Sequence, residues 1–429
     1  MLNKRTAPTA GALVLALALT SCGGGDAVEE TAPEELQPEE GTEIPEVTVV
    51  AGWSPIGDGL IPVIGERLGY FEDAGITFTE EDGLQTDLFE SLTPLLNNQI
   101  EIGATYMPLL THQFDTVHDE VTPFMMPTVS HALKILAPEG EYDTVSDLMD
   151  EGMSFEEAAA EAAEQIRGEE MLLFTGIEPE FYELAFSHAD MTLSDVETTY
   201  MDDPTMVTAA QAGEADFVSP NGAVQVSQLQ QSGWEVVIDI ADVIEYMPEE
   251  AMSLSNTMTG FVTTFDYAEE NWNTLLRFTS VMFRIVDHME EDVEGATEVF
   301  VDYVNSYTGS DMSAEEAARL FTDGLYFLQD FDEYADVVLN EDTAKNYYQG
   351  TDAQVERLQA QGVLQDDHDT AEISIADRIY QDLVEYRDQA EELIETAPEG
   401  ELKEQAETFY EQFNYLDAYR LALTANEED

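Results

Sequence analysis

The chain has 429 residues, with 92 acidic against 14 basic side chains and a formal net charge of −78. That length exceeds what one hydrophobic core usually serves, and 44% hydrophobic residues supply apolar surface for more than one packed lobe. A negative charge this large, spread through amphipathic segments and not gathered in one tail, excludes nucleic acid as a partner and reads as a solvated acidic surface suited to high salt.

Lys4 and Arg5 precede an apolar run at 11–20, which is shorter than the roughly 20 residues a membrane-spanning helix needs. The run therefore reads as a secretion signal covering 1–21. It ends in Leu19-Thr20-Ser21-Cys22, which resembles the lipobox of bacterial lipoproteins. That resemblance makes Cys22 the lipid-modified first residue of the mature chain and its link to the membrane. Anchoring of this kind is stable when two or more acyl chains insert. Cys22 is the sole cysteine, so no internal disulfide, Cys nucleophile or Cys-type zinc site is expected. Residues 22–45 are rich in Gly, Pro and Glu and predict a flexible, self-repelling tether.

Structure is expected from the β-branched run 47–51. A helix over 60–68 follows, stopped by Gly69, where glycine takes a left-handed φ without strain. Strands at 76–79 and 100–103 and helices at 88–96 and 109–117 complete a first set. A second set runs through strands at 132–136, 171–174, 196–200, 215–219 and 234–240. Helices at 155–166, 180–188, 206–212 and 224–231 lie between them. Such alternation predicts parallel sheets with right-handed crossovers. A strand at 260–263 then leads into an almost wholly helical region. Residues 371–425 read as two long acidic helices broken by Pro398-Glu399-Gly400, a helical hairpin.

The segments Arg67-Leu68-Gly69-Tyr70-Phe71-Glu72-Asp73-Ala74-Gly75-Ile76, Val145-Ser146-Asp147-Leu148 with Ile166-Arg167-Gly168, and Thr192-Leu193-Ser194-Asp195-Val196 are similar to those of a known group. So are 98–104, 209–217, Asp266-Tyr267-Ala268-Glu269-Glu270-Asn271 and 355–363. In order and spacing they resemble the solute-binding proteins of nitrate/sulfonate/taurine-type ABC importers, relatives of the thiamine-pyrimidine precursor-binding proteins. The resemblance covers about 46–365. It implies an α/β type II periplasmic-binding-protein fold, with two α/β lobes joined at a hinge and a C-terminal helical extension. Lobe 1 would comprise 46–128 and 257–365, lobe 2 129–256, and the C-terminal hairpin 366–429. It also implies capture of a small-molecule ligand by hinge closure outside the cytoplasm, and delivery to an ABC permease with its ATPase by a monomeric binding protein. A ligand-sensing or scaffolding lipoprotein with the same fold and no transport role is the alternative. The stretch 152–165 is an insertion relative to that group and reads as a surface decoration.

In open α/β sheets, ligands sit beyond the carboxyl ends of strands. Those ends nominate Trp53, Ser54, Asp58, Thr105, Tyr106, Thr175, Gly176, Ser219 and Asn221 as ligand-binding residues. Small and hydroxyl side chains there leave backbone N–H groups open to a ligand, and Trp53 and Tyr106 offer flat faces, with core packing the competing assignment for both. No basic residue falls at a predicted strand end. Arg67, Arg167, Arg277 and Arg284 read as surface residues, and carboxylates such as Glu180 stand near the nominated loops. An uncharged or cationic solute therefore suits the pocket at least as well as an oxyanion. No catalytic motif, cofactor or metal site is expected: HExxH, GxSxG and Walker sequences are missing. Asp366-Asp367-His368-Asp369 reads as a solvated linker. A pyrimidine-synthase-like enzyme is set aside because its resemblance would include a cysteine-rich motif.

Overall fold

The computed structural model describes residues 41–54, 57–86, 92–174, 180–341, 343, 345–366 and 368–427. The expected signal peptide 1–21, Cys22 and most of the tether lie outside them. In chain order the described strands are β1 (Val47–Val49), β2 (Ala51–Trp53), β3 (Ile76–Phe78), β4 (Leu84–Gln85), β5 (Ile102–Tyr106), β6 (Val121–Ser130) and β7 (Lys134–Pro138). They continue with β8 (Glu170–Phe174), β9 (Glu197–Met201), β10 (Phe217–Ser219), β11 (Trp234–Asp239), β12 (Met258–Thr264) and β13 (Tyr326–Leu328).

Two sheets organise the molecule, ordered β13-β6-β12-β5-β2-β4 and β11-β7-β10-β8-β9, beside a small parallel pair of β1 and β3. The chain leaves the six-stranded sheet after β6, builds the whole five-stranded sheet, and returns as β12. Two connections, 131–133 and 240–257, thus join an α/β lobe around each sheet. The sheets are mixed, not parallel as the alternation predicts. β2 is parallel to β4 and β5, and β8 to β9 and β10. β12 runs antiparallel to β5 and β6, and β7 antiparallel to β10 and β11. β13 also runs antiparallel to β6, and each of β7 and β12 is the strand on which the chain enters one sheet from the other. No helical crossover within the same sheet precedes it, so the handedness rule that enforces parallel neighbours does not act there.

Strand alternation sets the five-stranded layer. Ile135, Ala137, Met171, Leu173 and Phe217 pack into one apolar cluster with the helix Phe155–Ile166. Their neighbours Leu136, Leu172 and Val218 pack into another with Met206, Ala210 and Val224 from the helices Asp203–Gln211 and Ala223–Gln231. Successive side chains point to opposite faces, and both faces are covered. The helix Phe155–Ile166 is therefore no surface decoration. Its Ser154 and Glu157 form a reciprocal capping box, and Phe155, Ala158, Ala159, Ala162, Ala163 and Ile166 are all buried.

β6, a ten-residue strand, has no counterpart in the sequence reading. Pro123 and Pro127 cannot donate to a ladder, which ordinarily argues against an interior strand. The fold accommodates them by shifting register twice between β6 and β12. It also uses the proline carbonyls, which accept from the Ile375 N–H (3.0 Å) and the Gln329 N–H (2.9 Å).

The C-terminal region also differs from a hairpin. It forms three helices, Ala376–Thr396, Glu401–Glu411 and Tyr415–Glu427, and Phe413 takes a left-handed φ of 63° in the second break. The last helix buries Leu416, Asp417, Arg420 and Leu421. Arg277, expected on the surface, is instead 1% exposed. It grips Asp417 through two N–O contacts of 2.9 Å, Nε to Oδ2 and Nη2 to Oδ1. Asn414 Nδ2 donates to Asp417 Oδ2 at 2.8 Å, and Arg420 pairs with Oδ1. Arg420 also donates to the Gly41 and Glu43 carbonyls, both at 3.1 Å. Burial acts to raise the Asp417 carboxyl, but the bond from Arg277 and the two guanidinium charges outweigh it and hold it below the usual carboxylate range. The C-terminal helices are thus built into the first lobe through a fully satisfied ionic cluster.

Among the described residues, no helix is long and apolar enough to cross a membrane.

Candidate ligand-binding site

A cavity of about 350 Å³ lies between residues of the two lobes. On the six-stranded side, β5 ends at Tyr106 and turns directly into the helix Met107–Thr111, with Pro108 in its first turn. This turn brings Tyr106, Pro108, Leu109, His112 and Gln113 to the cavity wall. The helix Tyr347–Gln361 forms the rest of that wall. Asn346 caps its start by accepting from the Gln349 N–H, and Gly362 ends it at φ 76°. Gln354, Arg357 and Gln361 recur at three- and four-residue spacing, so one helical face presents all three to the cavity.

The opposite wall comes from the five-stranded side. Phe174 ends β8, Glu180 and Phe181 open the helix Glu180–Ser187, and Asn221 follows β10. Leu133, Ser253, Leu254 and Thr257 come from the two connections between the lobes. Leu109, Leu133, Phe174, Phe181 and Leu254 supply the apolar surface; amides and hydroxyls supply directional contacts. That mixture is typical of small-molecule sites.

An ion pair crosses the cavity: Arg357 Nε faces Glu180 Oε2 at 3.0 Å. The Ser253 hydroxyl donates to the other carboxylate oxygen. Burial pushes the Glu180 carboxyl up to about 7, against the opposing pull of the Ser253 bond. The same burial lowers Arg357, which as a guanidinium stays charged. His112 is lowered, first by burial and then by the Arg357 charge, so the ring is held neutral. Burial and the Glu180 charge both raise the Tyr106 hydroxyl. At neutral pH the site thus offers one fixed cation, a carboxylate near the midpoint of its titration, and a set of neutral donors and acceptors. Among the described residues, no group of three or more His, Cys, Asp or Glu could hold a metal ion.

Of the residues nominated from strand ends, the structure brings Tyr106 and Asn221 to this cavity. Trp53 is a core residue instead. It is fully buried, donates from Nε1 to the Asp82 carbonyl at 2.8 Å, and meets Phe78 edge-on at 5.1 Å. The strand holding it ends under the loop that contains Gly83, which packs on the indole, so the ring faces the first lobe's interior. Ser219 is also fully buried, accepting from the Tyr182 hydroxyl at 2.9 Å, and so lies beneath the wall. Thr105 points into the sheet, opposite Gly260, and is 1% exposed. Ser54 is equally buried and does not line the cavity. Thr175, Gly176 and the Asp58 side chain lie outside the described residues.

The residues missed carry much of the chemistry: Arg357, Gln354, Gln361, His112 and Ser253, while Glu180 enters the sequence reading only as a carboxylate near the nominated loops. Strand ends are a rule for loops within one lobe, and Arg357 arrives on a helix late in the chain. A signal existed. Residues 355–363 belong to the resemblance, and polar Gln354, Arg357 and Gln361 share a face on a helix that otherwise buries Val355 and Leu358. Of the other arginines, Arg67 pairs with Asp82 and Asp302, Arg167 with Glu164, and Arg284 with Asp73, all at the molecule's periphery. His368 contacts Asp115 at 2.7 Å and the Asp366 N–H donates to the same carboxylate, so these two residues clasp another segment in place of the expected solvated linker.

No protein-family profile matches the sequence, and no curated protein matches it. Solved structures do match. The periplasmic aliphatic sulphonate binding protein SsuA from Escherichia coli aligns with a TM-score of 0.54 at 14% identity, over 76% of this chain and 91% of that one. The zinc-bound ligand-binding component of an ABC-type import system from Staphylococcus aureus aligns at 0.52 and 10%, over 78% and 98%. A DSZB mutant in complex with biphenyl-2-sulfinic acid aligns at 0.50 and 11%, over 79% and 99%. Proteins of such different description on one architecture show that the fold does not by itself dictate chemistry. What the comparisons do establish, with the two mixed sheets and their double connection, is that this chain has the two-lobed periplasmic-binding-protein fold.

Proposed function

We propose that this chain is an extracytoplasmic solute-binding protein that captures a small organic solute between its lobes by hinge closure. The observation that carries the reading is the cavity of about 350 Å³, walled by both lobes and crossed by the Glu180–Arg357 pair. A solute there touches both walls at once, and simultaneous contact is what favours the closed form over the open one. The volume suits a solute of modest size, and the apolar walls with amide and hydroxyl groups suit one with both apolar and polar parts. A ligand whose polar groups meet Arg357 and Glu180 together fits better than a bare cation or an apolar molecule, because it matches both charges of the site. No acid–base or nucleophilic assignment is needed, and we propose a binding role without catalysis.

Around that core reading stand the finer proposals. Cys22 anchors the chain to the outer face of the cell membrane through lipid, 22–45 is the tether, and an ABC permease with its ATPase receives the solute. The acidic surface keeps the protein soluble where counterions are abundant.

A thermal-shift screen of small organic solutes in high salt tests the reading. A solute at 100 times its Kd is expected to add about 2.7 kcal/mol of stability. Arg357→Gln is expected to remove that shift, and Trp53→Phe to retain it. A shift that survives Arg357→Gln would move the site away from this cavity.

A further inference from the structure

We propose that Glu180 is a built-in competitor for the cavity's cation: it holds Arg357 across the cleft, and a solute enters by taking that guanidinium from it. The inference rests on the cavity being the solute site. Glu180 starts a helix of the five-stranded lobe, and Arg357 sits on the Tyr347–Gln361 helix of the opposite wall, so their 3.0 Å contact ties the two walls across the space a ligand must fill. Among the described lining residues Arg357 is the one Arg or Lys, and the carboxylate lies on it.

A structural ion pair looks different. Arg277 and Asp417 are 2% and 1% exposed and make two parallel contacts, with Asn414 and Arg420 completing the shell. Glu180 and Arg357 keep 9% and 17% of their side-chain surface, and the contact at Arg357 Nε lacks hydrogen-bond geometry. The carboxylate is supported from behind by Ser253, which lets Glu180 keep a partner when Arg357 turns to a ligand. The surrounding charges bias the exchange. Glu183, on the next turn of the same helix, opposes ionisation of Glu180, while Arg357 acts to lower His112 and Glu180 to raise Tyr106. The neutral His112 and Tyr106 bring no charge to compete with a solute anion for Arg357.

The specificity that follows is for a solute carrying an anionic or strongly accepting group, held more weakly when Glu180 is charged than when it is neutral. Protonating Glu180, which burial has brought to about 7, removes the competitor. Affinity for an organic anion therefore rises as pH falls through neutrality.

The test uses propionate as the probe on the full chain, titrated by thermal shift at fixed high ionic strength. At pH 8, Glu180→Gln is expected to bind propionate at least tenfold more tightly than the unaltered chain. At pH 5.5 that advantage shrinks, because the native carboxyl is itself protonated. The double variant Glu180→Gln with Arg357→Gln loses the gain. Equal affinity of the single variant and the unaltered chain at pH 8, including no binding by either, overturns the proposal. Such a failure leaves the solute screen untouched, since a neutral solute found there would still mark the cavity as a binding site. Circular dichroism of each variant separates lost binding from lost folding.

Discussion

Two oppositely charged contacts of similar length do different jobs in this protein. The Arg277–Asp417–Arg420 cluster joins the C-terminal helix to the long helix Trp272–Glu291, sealed from solvent and with every carboxylate oxygen bonded. The Glu180–Arg357 pair spans a cavity, keeps part of its surface exposed, and leaves its carboxyl near neutrality. Charges removed from water are held in place when their hydrogen bonds are complete, because leaving costs a buried unpaired ion. Charges that line a cavity have an alternative partner waiting, either water or ligand. Exposure to the cavity, more than distance, separates a structural ion pair from an exchangeable one.

The largest expected effect attacks the sealed cluster. Asp417→Asn leaves two buried guanidiniums without their counter-charge and is expected to destabilise by about 3–5 kcal/mol, read as a lower denaturant midpoint in high salt. A loss within 1 kcal/mol would show that the cluster is no more structural than the cavity pair. Next in size is Arg357→Gln. It should weaken solute binding by about 2–4 kcal/mol while changing the melting temperature of the empty protein little, measured by calorimetric titration beside thermal unfolding. A drop in stability comparable to that of Asp417→Asn would erase the distinction between the pairs. Asn414→Ala then sharpens it from inside the cluster. It removes one buried hydrogen bond to a charged oxygen, with an expected cost of about 1.5–3 kcal/mol by equilibrium unfolding.

The smallest expected effect is a pH dependence. Glu180 at about 7 and Asp203 at about 6 are both raised by burial above the values of exposed carboxyls, whereas Asp417 is lowered. Between pH 4.5 and 7 the folded chain holds protons on Glu180 and Asp203 that the unfolded chain has released. Stability contributed there falls as pH rises. Asp417 works in the opposite sense at lower pH, contributing stability that is lost as pH falls through its depressed value. Comparing the native protein with Glu180→Gln by thermal melts from pH 4.5 to 8 should flatten part of the slope. An unchanged slope would place the titrating proton elsewhere.

Much of the architecture could be read without coordinates. The helix over 155–166, the left-handed Gly69, and the alternation through 132–240 are local, and local geometry is written in local residues. β6 was illegible because its prolines contradict the ladder that register shifts later permit. The two antiparallel entry strands were equally hidden, since strand direction at a lobe crossing has no local signature. Trp53 illustrates the same limit within the site. Its position after a strand fits a pocket as well as a core, and only the fold of the loop at Asp82 and Gly83 over the indole decides between them.

Sequence alone therefore determined the acidic surface, the succession of strands and helices, and the resemblance that pointed to two hinged lobes. The tertiary structure decided which charges meet. Arg277 found a buried partner on the last helix, and Arg357 found Glu180 across the cleft, each on an element far away in the chain. Pairing of that kind is set by how whole helices pack, and packing distances are not carried by any short run of residues.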